Sequence, residues 1–427
     1  MVDNRGMRPG LTALALLPLL ASCTDHSSPA SDAAAIDSPA VTVDAAADAA
    51  VVDAAVADAA NPCPRPPAPA DRARKVVISR PYDAAGNPAQ VYEVLDLSAT
   101  GDLSRPGVTF SMGRATAGEI VFTPDGEVGL LPLEDGTLGV FRWDETGAPV
   151  VVHAAFAGTF YAGRVVMDPG GARAYVLDSE WDDIGGGVYS VAIGCDGSLT
   201  DEGRLLAAKL PYALALLDGG RALLAGQSLP GVAAGDDVNL IALGAAPERI
   251  ASADAWGDDD AIVADGRGTS DGRYLLLADN NSFSGTGGRL AAVEILESGL
   301  RPAQVLSLRP TYTDPAVLVM SPFGDTALVL GCMDDAILAL DYAPASTDQP
   351  FSLRGEIAYH AGDPAALPCG ASLIDRGPLR GRVLVAENAA IRQIDLQAGG
   401  AIVDHGLLRL GVGDDLTAIV GALGVQP

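Results

Sequence analysis

The chain has 427 residues, of which 48% are hydrophobic and 5% aromatic, so it can bury a large core built mainly from Val, Leu, Ile and Ala. Its formal net charge is −28, with 27 Lys and Arg against 55 Asp and Glu. Such an acidic chain repels phosphate backbones and anionic lipid surfaces, which excludes nucleic acid as a partner. The length allows two average domains without requiring them, because β-architectures often extend as one unit.

Residues 1–22 have the pattern of a signal peptide. Arg5 and Arg8 precede an apolar run over 11–20 that is too short to span a bilayer. The run ends in the sequence LASC, closed by Cys23, which resembles the lipobox of bacterial lipoproteins. The resemblance implies that Cys23 is lipidated and anchors the mature protein in the bilayer of the cell envelope, with Thr24 after it favouring the outer membrane. The alternative is an ordinary signal peptide that contains a cysteine.

Residues 23–71 are predicted to be a linker between this anchor and the folded domain. The segment from Thr24 to Cys63 contains seven Asp and no Lys or Arg, within runs of Ala, Ser and Pro. The Asp spacing leaves no apolar face for a helix, so we predict a disordered, self-repelling spacer. The folded domain is then expected to cover residues 72–427.

Residues 72–427 repeat a unit of two apolar runs joined by a glycine-containing turn. In the first copy, Ile120–Phe122 is followed by the turn Thr-Pro-Asp-Gly and then by Val128–Leu131. The equivalent turn glycines lie 45 to 57 residues apart, at Gly126, Gly171, Gly220, Gly272, Gly324 and Gly381. Two further strands follow each copy, the last one more polar. Four strands in about 50 residues, repeated, are typical of a β-propeller.

Six copies are complete, and the two ends of the domain supply a seventh. Leu416–Val420 has the pattern of an innermost strand, whereas Val76–Ser79 and Val91–Leu95 have no innermost strand before them. We therefore predict an all-β fold, a seven-bladed β-propeller whose last blade is closed by N- and C-terminal strands. Closure leaves no exposed sheet edge. Six or eight blades are the alternatives.

The turns and the blade length resemble those of the lactonase-like and YVTN-type seven-bladed propellers. The resemblance extends over Arg74–Pro427 and concerns only the spacing of strands and turns. It implies a fold and assigns no activity, because one fold hosts many functions.

Besides Cys23, the chain has four cysteines. An even number of cysteines in an exported chain fits two disulfides. Cys332 and Cys369 lie in neighbouring repeats, so we favour that pair, which leaves Cys63 with Cys195. None of them has C-x-x-C spacing, which argues against redox catalysis and structural zinc.

The histidines of the domain are predicted at its rim. His153 and His360 fall in fourth strands, the outermost of their blades, and His405 is near the equivalent position. Propeller enzymes build their sites around the central channel, where rim histidines are badly placed for general base work or metal ligation. This placement argues against a lactonase-type hydrolase, although carboxylates and arginines alone could still supply the catalytic groups.

Aspartates collect in the loops that precede innermost strands or join second and third strands. The candidates for a site on this acidic loop face are Asp259, Asp260, Asp314, Asp414 and Asp415. Converging carboxylates suit a hard cation such as Ca²⁺, or a cationic peptide. The alternative is that loops simply favour Asp.

These observations favour a monomeric, membrane-anchored surface lipoprotein. Its propeller is expected to bind an envelope protein, a peptide or a cation through the acidic loop face, without catalysis and without a cofactor other than Ca²⁺. The alternative is a lactonase-like hydrolase that uses the propeller channel.

Overall fold

The structure is a computed structural model that describes residues 63–178, 186–208, 210–226, 237–243, 247–257, 261–281, 287–357, 367–411 and 415–427. The predicted signal peptide, Cys23 and most of the predicted linker lie outside these ranges. Within them, 28 strands form seven antiparallel sheets of four strands each. Over the same ranges, no helix has the length and apolar character needed to cross a membrane.

The first three strands belong to the last blade, and the next three blades follow in chain order. The first three are β1 (Arg74–Tyr82), β2 (Pro88–Leu97) and β3 (Leu103–Ser111). Blade 1 contains β4 (Val121–Phe122), β5 (Val128–Pro132), β6 (Leu138–Trp143) and β7 (Pro149–Phe156). Blade 2 contains β8 (Ala162–Met167), β9 (Arg173–Asp178), β10 (Gly187–Ile193) and β11 (Leu199–Ala207). Blade 3 contains β12 (Pro211–Leu217), β13 (Arg221–Gly226), β14 (Val238–Ala242) and β15 (Glu248–Ala253).

The remaining strands continue the same pattern. Blade 4 contains β16 (Val263–Gly268), β17 (Tyr274–Asp279), β18 (Arg289–Ile295) and β19 (Leu300–Ser307). Blade 5 contains β20 (Pro315–Met320), β21 (Thr326–Gly331), β22 (Ala336–Tyr342) and β23 (Phe351–Glu356). Blade 6 contains β24 (Gly370–Leu373), β25 (Arg382–Glu387), β26 (Ala390–Leu396) and β27 (Ile402–Arg409). Blade 7 is β28 (Leu423–Val425) with β1, β2 and β3.

The seven sheets stand in a ring, which confirms the predicted seven-bladed propeller. The first strand of each sheet contacts the first strand of the next, from β28 through β4, β8, β12, β16, β20 and β24 and back to β28. These seven strands are therefore innermost and surround a central channel. The fourth strands, such as β3 and β7, are largely exposed and form the rim.

The predicted closure of the last blade is confirmed, but the strand that closes it lies later in the chain than expected. β28 pairs with β1, with Leu423 opposite Ile78. Leu416–Ala418 instead forms a short 3-10 helix, because the Asp415 carboxylate accepts hydrogen bonds from Thr417 N at 3.0 Å and Thr417 Oγ1 at 2.6 Å. This side-chain turn outweighs the β-branched pattern of the segment.

The core lies between the blades, in seven hydrophobic clusters that each join two neighbouring sheets. Leu, Val, Ile and Ala dominate them, as the low aromatic content requires. The innermost strands approach the next blade closely, and a Cβ on Gly424 of β28 would lie 2.2 Å from the Ile120 carbonyl oxygen. Only glycine fits at that position.

Residues 63–73 form a strap, a segment that crosses the turns at one end of the ring. Cys63 is joined by a disulfide to Cys195, which follows β10. The Arg65 side chain is 3% exposed, pairs with Asp125 at 3.1 Å and donates to the Gly194 carbonyl oxygen at 2.8 Å. The strap therefore connects the turns of blades 1 and 2.

Candidate functional site

The central channel contains a cavity of about 640 Å³ between the innermost strands. Apolar side chains from β4, β12, β20, β24 and β28 form much of its wall, and β16 contributes Gly266, Arg267 and Gly268. The polar lining consists of seven side chains: Glu119, Asp218, Arg267, Thr269, Ser270, Asp271 and Ser372. These polar groups converge on one concave space, which is a common feature of small-ligand sites.

Four charged side chains from three blades meet in the channel; Glu119, Arg164, Asp265 and Arg267 are called the channel cluster here. Glu119 lies two residues before the innermost strand of blade 1, Arg164 lies in β8 of blade 2, and the other two lie in β16 of blade 4. Register shifts in β8 and β16 fall directly before Arg164 and Asp265. Such bulges re-aim side chains, which accounts for charged groups at these positions in otherwise apolar strands.

The channel cluster is a closed set of ion pairs. Glu119 Oε1 is 3.1 Å from Arg164 Nη2 and 2.6 Å from Arg267 Nη2. Asp265 Oδ1 is 2.8 Å from Arg164 Nη1, and Asp265 Oδ2 is 3.1 Å from Arg267 Nε. Because blades 1 and 4 are not neighbours in the ring, the contact between Glu119 and Arg267 spans the channel.

The backbone of two further blades holds this cluster. Arg164 Nη1 donates to the Tyr212 carbonyl oxygen of blade 3 at 2.8 Å. Leu318 N of blade 5 donates to Asp265 Oδ2 at 2.9 Å. The Asp265 carboxylate is 1% exposed, so these bonds satisfy a charge that is removed from water.

Burial and the neighbouring charges act in opposite directions on the pKa values of Asp265 and Arg267. Burial alone would raise the pKa of Asp265, but the charges of Arg164 and Arg267 outweigh it and hold that pKa below its ordinary value. Burial would likewise lower the pKa of Arg267, yet Asp265 and Glu119 raise it overall. The formal charges of the two acidic and two basic side chains of the cluster cancel.

Two atoms of the cluster remain open to a ligand. Both arginines donate to Glu119 Oε1, and no described residue bonds Glu119 Oε2. Arg267 uses Nε and Nη2, which leaves Nη1 without a partner among the described residues. Glu119 is 28% and Arg267 36% exposed, and both line the cavity. The channel thus offers one carboxylate acceptor beside one guanidinium donor.

Sequence reasoning did not single out these four residues. The available signal was a charged residue inside a strand predicted to be innermost, as with Arg164 beside Val165, or Asp265 and Arg267 after Ile262–Ala264. An innermost strand borders the channel, so a charge there is either paired across the channel or exposed to a ligand. Which residue meets which could not be inferred, because the partners are separated by up to 148 positions.

Of the five aspartates proposed for the acidic loop face, Asp259, Asp260 and Asp414 lie outside the described residues. Asp314 is 6% exposed, and its Oδ2 accepts a hydrogen bond from Met333 N at 3.0 Å. Burial, together with the charge of Asp334, raises the pKa of Asp314 to about 6. Asp415 caps the 3-10 helix. Within the described ranges, no three His, Cys, Asp or Glu side chains are grouped to hold a metal ion.

Other loop aspartates of this face serve the backbone and a neighbouring arginine. Asp279 is fully buried, receives hydrogen bonds from Ile262 N and Asn281 N, and pairs with Arg289 Nη2 at 2.6 Å. Asp237 accepts from Ala255 N at 3.0 Å. Their carboxylates therefore shape the loops, as the propensity of Asp for loops suggests.

The structure also places the other residues considered from the sequence. His153 lies in β7 and His405 in β27, both outermost strands as predicted, whereas His360 lies outside the described residues. His405 Nε2 is 2.7 Å from Asp395 Oδ2 at the rim. Cys332 and Cys369 form a disulfide with their Cα atoms 4.7 Å apart, which joins blade 5 to the start of blade 6.

Fold and site together define a seven-bladed β-propeller with a charge-paired central channel. No protein-family model and no curated protein sequence matches the chain. Among solved structures it is similar to PpgL, the periplasmic gluconolactonase of Pseudomonas aeruginosa, with 14% identity and a TM-score of 0.59 over 83% of this chain and 99% of that one. A candidate 6-phosphogluconolactonase from Bacteroides uniformis gives 13% identity and a TM-score of 0.60, with the same coverage.

A protein of unknown function from Desulfotomaculum acetoxidans is also similar, with 13% identity and a TM-score of 0.56 over 82% of this chain and 98% of that one. At such identities the similarity establishes the fold, and the chemistry has to be argued from the channel itself.

Proposed function

We propose that the channel binds a small hydroxylated ligand between Glu119 and Arg267 and hydrolyses lactones. The observation that carries the proposal is the open pair of atoms, Glu119 Oε2 and Arg267 Nη1, in a cavity of about 640 Å³. The similarity in fold to a protein named as a gluconolactonase supports a lactone as the ligand class.

The chemistry follows from the two open atoms. Arg267 Nη1 donates a hydrogen bond to the lactone carbonyl oxygen and stabilises the negative charge that develops there. Glu119 Oε2 accepts a proton from water as the water oxygen bonds to the carbonyl carbon. The bond from that carbon to the ring oxygen then breaks, and the ring oxygen takes the proton from Glu119, which gives the open hydroxy acid. Arg164 and Asp265 are positioning residues that hold Glu119 and Arg267.

The test is acid release from a panel of sugar lactones, followed with a pH indicator and corrected for spontaneous hydrolysis. We expect turnover by the wild-type chain and a loss of about 100-fold or more in kcat for Glu119→Gln, as is usual for removal of a general base. Glu127→Gln, an exposed glutamate in the turn of the same blade, is the matched control and should keep full activity. Wild-type rates equal to the spontaneous rates contradict the proposal.

A second candidate function is ligand binding without turnover. It is favoured by the neutralised cluster, in which both arginines and Asp265 are already committed to ion pairs. In that case calorimetry detects binding of a lactone or sugar to the wild-type chain, binding weakens in Arg267→Met, and no acid is released.

We also propose that the protein is anchored in the cell envelope through an acylated Cys23, with the outer membrane favoured. The sequence LASC at 20–23 supports this. Labelling with an alkynyl fatty acid should mark the wild-type protein, and Cys23→Ala should abolish the label and move the protein to the soluble fraction. An unlabelled wild-type protein contradicts the anchor.

Binding of a cation or a cationic envelope peptide by the acidic loop face stays a proposal that rests on the loop sequences. A calcium titration followed by thermal unfolding tests this proposal. At a free Ca²⁺ concentration 100 times the Kd of the site, binding adds about 2.7 kcal/mol to the free energy of unfolding. An unchanged transition with and without a chelator argues against a cation site.

A further inference from the structure

We infer that three arginines at the strap form a binding site for a small tetrahedral oxyanion, with phosphate or sulfate as the ligand class. They are Arg72 of the strap, Arg74 at the start of β1 and Arg376 in the connection between β24 and β25, and they are called the strap arginines here. None of the three lines the channel cavity, so the site is separate from the channel cluster.

Arg74 is a buried cation that has no carboxylate partner among the described residues. Arg74 and Arg392 are both no more than 1% exposed. Arg392 pairs with Glu387 Oε1 at 2.5 Å and with Asp404 Oδ2 at 2.6 Å. Arg74 instead donates to three backbone carbonyl oxygens, two of the strap and that of Arg376, at 2.8, 3.2 and 3.3 Å. A buried guanidinium without a counter-charge is strongly unfavourable, so this position favours a bound anion nearby.

The other two strap arginines meet on one turn of blade 1. Arg72 Nη2 donates to the Asp125 carbonyl oxygen at 3.1 Å, and Arg376 Nη2 donates to the Pro124 carbonyl oxygen at 2.9 Å. These two carbonyl groups are adjacent in the turn between β4 and β5. The strap and blade 6 therefore bring two cations to the same place.

The positive charge of the strap arginines is only partly balanced. Among the described residues, no Asp or Glu forms an ion pair with any of the three, and their bonds go to carbonyl oxygens. Burial lowers the pKa of Arg74, the charges of Arg376 and Arg72 lower it further, and the charge of Asp375 offsets these effects only in part. An anion at this point relieves both the burial of Arg74 and the repulsion between the three cations.

The anion contacts the two outer arginines. Arg72 and Arg376 are half-buried, and Nη1 of each reaches solvent and has no partner among the described residues. Two guanidinium groups from separate segments suit an anion whose oxygens point in several directions, as in phosphate or sulfate. Arg74 contributes its charge from the interior, where its Nε is also buried without a described partner.

Calorimetry with inorganic phosphate tests the site on the full chain, at an ionic strength held constant with chloride. We expect saturable binding of phosphate. Acetate should bind about tenfold more weakly, because it has fewer oxygens and a smaller charge. Absence of saturable phosphate binding, or acetate binding as tight as that of phosphate, overturns the inference.

Arg376→Gln removes one of the two contacting cations. We expect phosphate binding to weaken by about tenfold or more, because a charge-assisted hydrogen bond and its charge are lost together. The matched control is Arg142→Gln, which makes the same change at an exposed arginine of β6 and should bind phosphate as the wild-type chain does. Equal phosphate affinity in the wild-type chain and in Arg376→Gln contradicts the site.

Arg72→Lys is a second variant, which keeps the charge and changes only the donor geometry. Arg72 lies outside the strands, and lysine lacks the planar fork of donors, so phosphate binding should weaken although the fold is retained. Urea unfolding adds an independent measurement. Phosphate in place of chloride should raise the unfolding midpoint of the wild-type chain and of Arg142→Gln more than that of Arg376→Gln, since the general effect of the salt is common to all three. Equal shifts in all three proteins contradict the site.

Free phosphate and the phosphate group of a lipid headgroup share this chemistry. Sedimentation with phosphatidylglycerol vesicles distinguishes the two sources, and Cys23→Ala is used there so that acylation does not bring the protein to the membrane. We expect this protein to stay in the supernatant, because its net charge of −28 opposes approach to an anionic surface. Sedimentation that is abolished by adding Arg376→Gln assigns the bound phosphate to a headgroup and supports the same site.

Discussion

The channel and blade 7 each contain a carboxylate shared by two arginines, but they leave it in different states. In blade 7, Glu93 is 2% exposed and both of its oxygens are used by Arg80 and Arg105. Those arginines also donate to the carbonyl oxygens of Ala418 at 2.6 Å and Leu410 at 3.0 Å. The network thus ties the sheet to the chain segment that precedes β28.

In the channel, both arginines bond the same oxygen of Glu119, a residue that lines the cavity, and no described residue bonds its other oxygen. The chemical groups are identical, so residue type alone cannot distinguish the two. The difference is the acceptor capacity that remains after the protein's own bonds are made. A saturated carboxylate supports the fold, whereas an unsaturated one beside a cavity is available to a ligand.

Removal of the saturated carboxylate should have the largest effect on stability. We expect Glu93→Gln to lower the free energy of unfolding by about 3–5 kcal/mol, because it leaves two arginines without their buried counter-charge. Urea unfolding followed by fluorescence measures the loss. The exposed control Glu127→Gln should change stability by no more than about 0.5 kcal/mol. A loss below about 1 kcal/mol for Glu93→Gln contradicts a structural role for the network.

Asp265→Asn should come next, with a loss of about 3 kcal/mol at pH 7 from the same cause. The pKa of Asp265 is lowered in the folded protein, so the stability it contributes is present above its unfolded pKa of about 3.9 and is lost as the pH falls through the lower folded value. Unfolding measured from pH 7 to pH 3 should therefore bring the two proteins closer in stability. Parallel curves would show that the charge of Asp265 is not what stabilises the cluster.

Asp314→Asn should change stability in the opposite direction. The folded pKa of Asp314 is raised to about 6, so the stability associated with its neutral form is complete below the unfolded pKa and is lost as the pH rises through about 6. We expect Asp314→Asn to stabilise the protein by about 2 kcal/mol at pH 7 and to have almost no effect at pH 4. Asp348, whose side chain is 86% exposed, provides the control. Asp348→Asn should leave the free energy of unfolding unchanged at both pH 7 and pH 4.

Glu119→Gln should have the smallest effect on stability, about 1 kcal/mol or less, because Glu119 is 28% exposed and Asp265 still pairs with both arginines. The same change should abolish lactone turnover. The free energy of unfolding and the turnover of lactones are both measured on Glu119→Gln. This variant should lose activity and keep most of its stability, whereas Glu93→Gln should lose much more stability. A Glu119→Gln protein as unstable as Glu93→Gln would place Glu119 among the structural carboxylates.

The architecture could be predicted from the sequence because propeller blades are local. Six of the seven sheets form from four consecutive strands, and a glycine marks the turn between the first two strands; Gly126, for example, has φ +74° between β4 and β5. Closure of the ring followed from counting strands at the two ends. The closing strand was misplaced because the Asp415 side chain competes with the strand for the backbone of Leu416–Ala418.

The channel cluster could not be predicted in the same way because it is not local. Its members come from three repeats, and their contacts depend on bulges that the sequence does not mark. The aspartate-rich loops were more conspicuous in the sequence than Glu119 or Arg164. Those aspartates that the structure describes largely bond the backbone or a neighbouring arginine. The abundance of Asp in the loops therefore did not indicate carboxylates that are open to a ligand.

The strap has a consequence for how the ring can open. The Cys63–Cys195 disulfide joins positions 132 residues apart, and the chain between them contains β1 to β10. β1 is thus covalently tied to blade 2, whereas β28 is held to it by three residue pairs and by contacts such as that from Gln426 Nε2 to the Gly126 carbonyl oxygen. Local opening should therefore begin with release of β28. Its return is an intramolecular event, so reclosure does not depend on protein concentration.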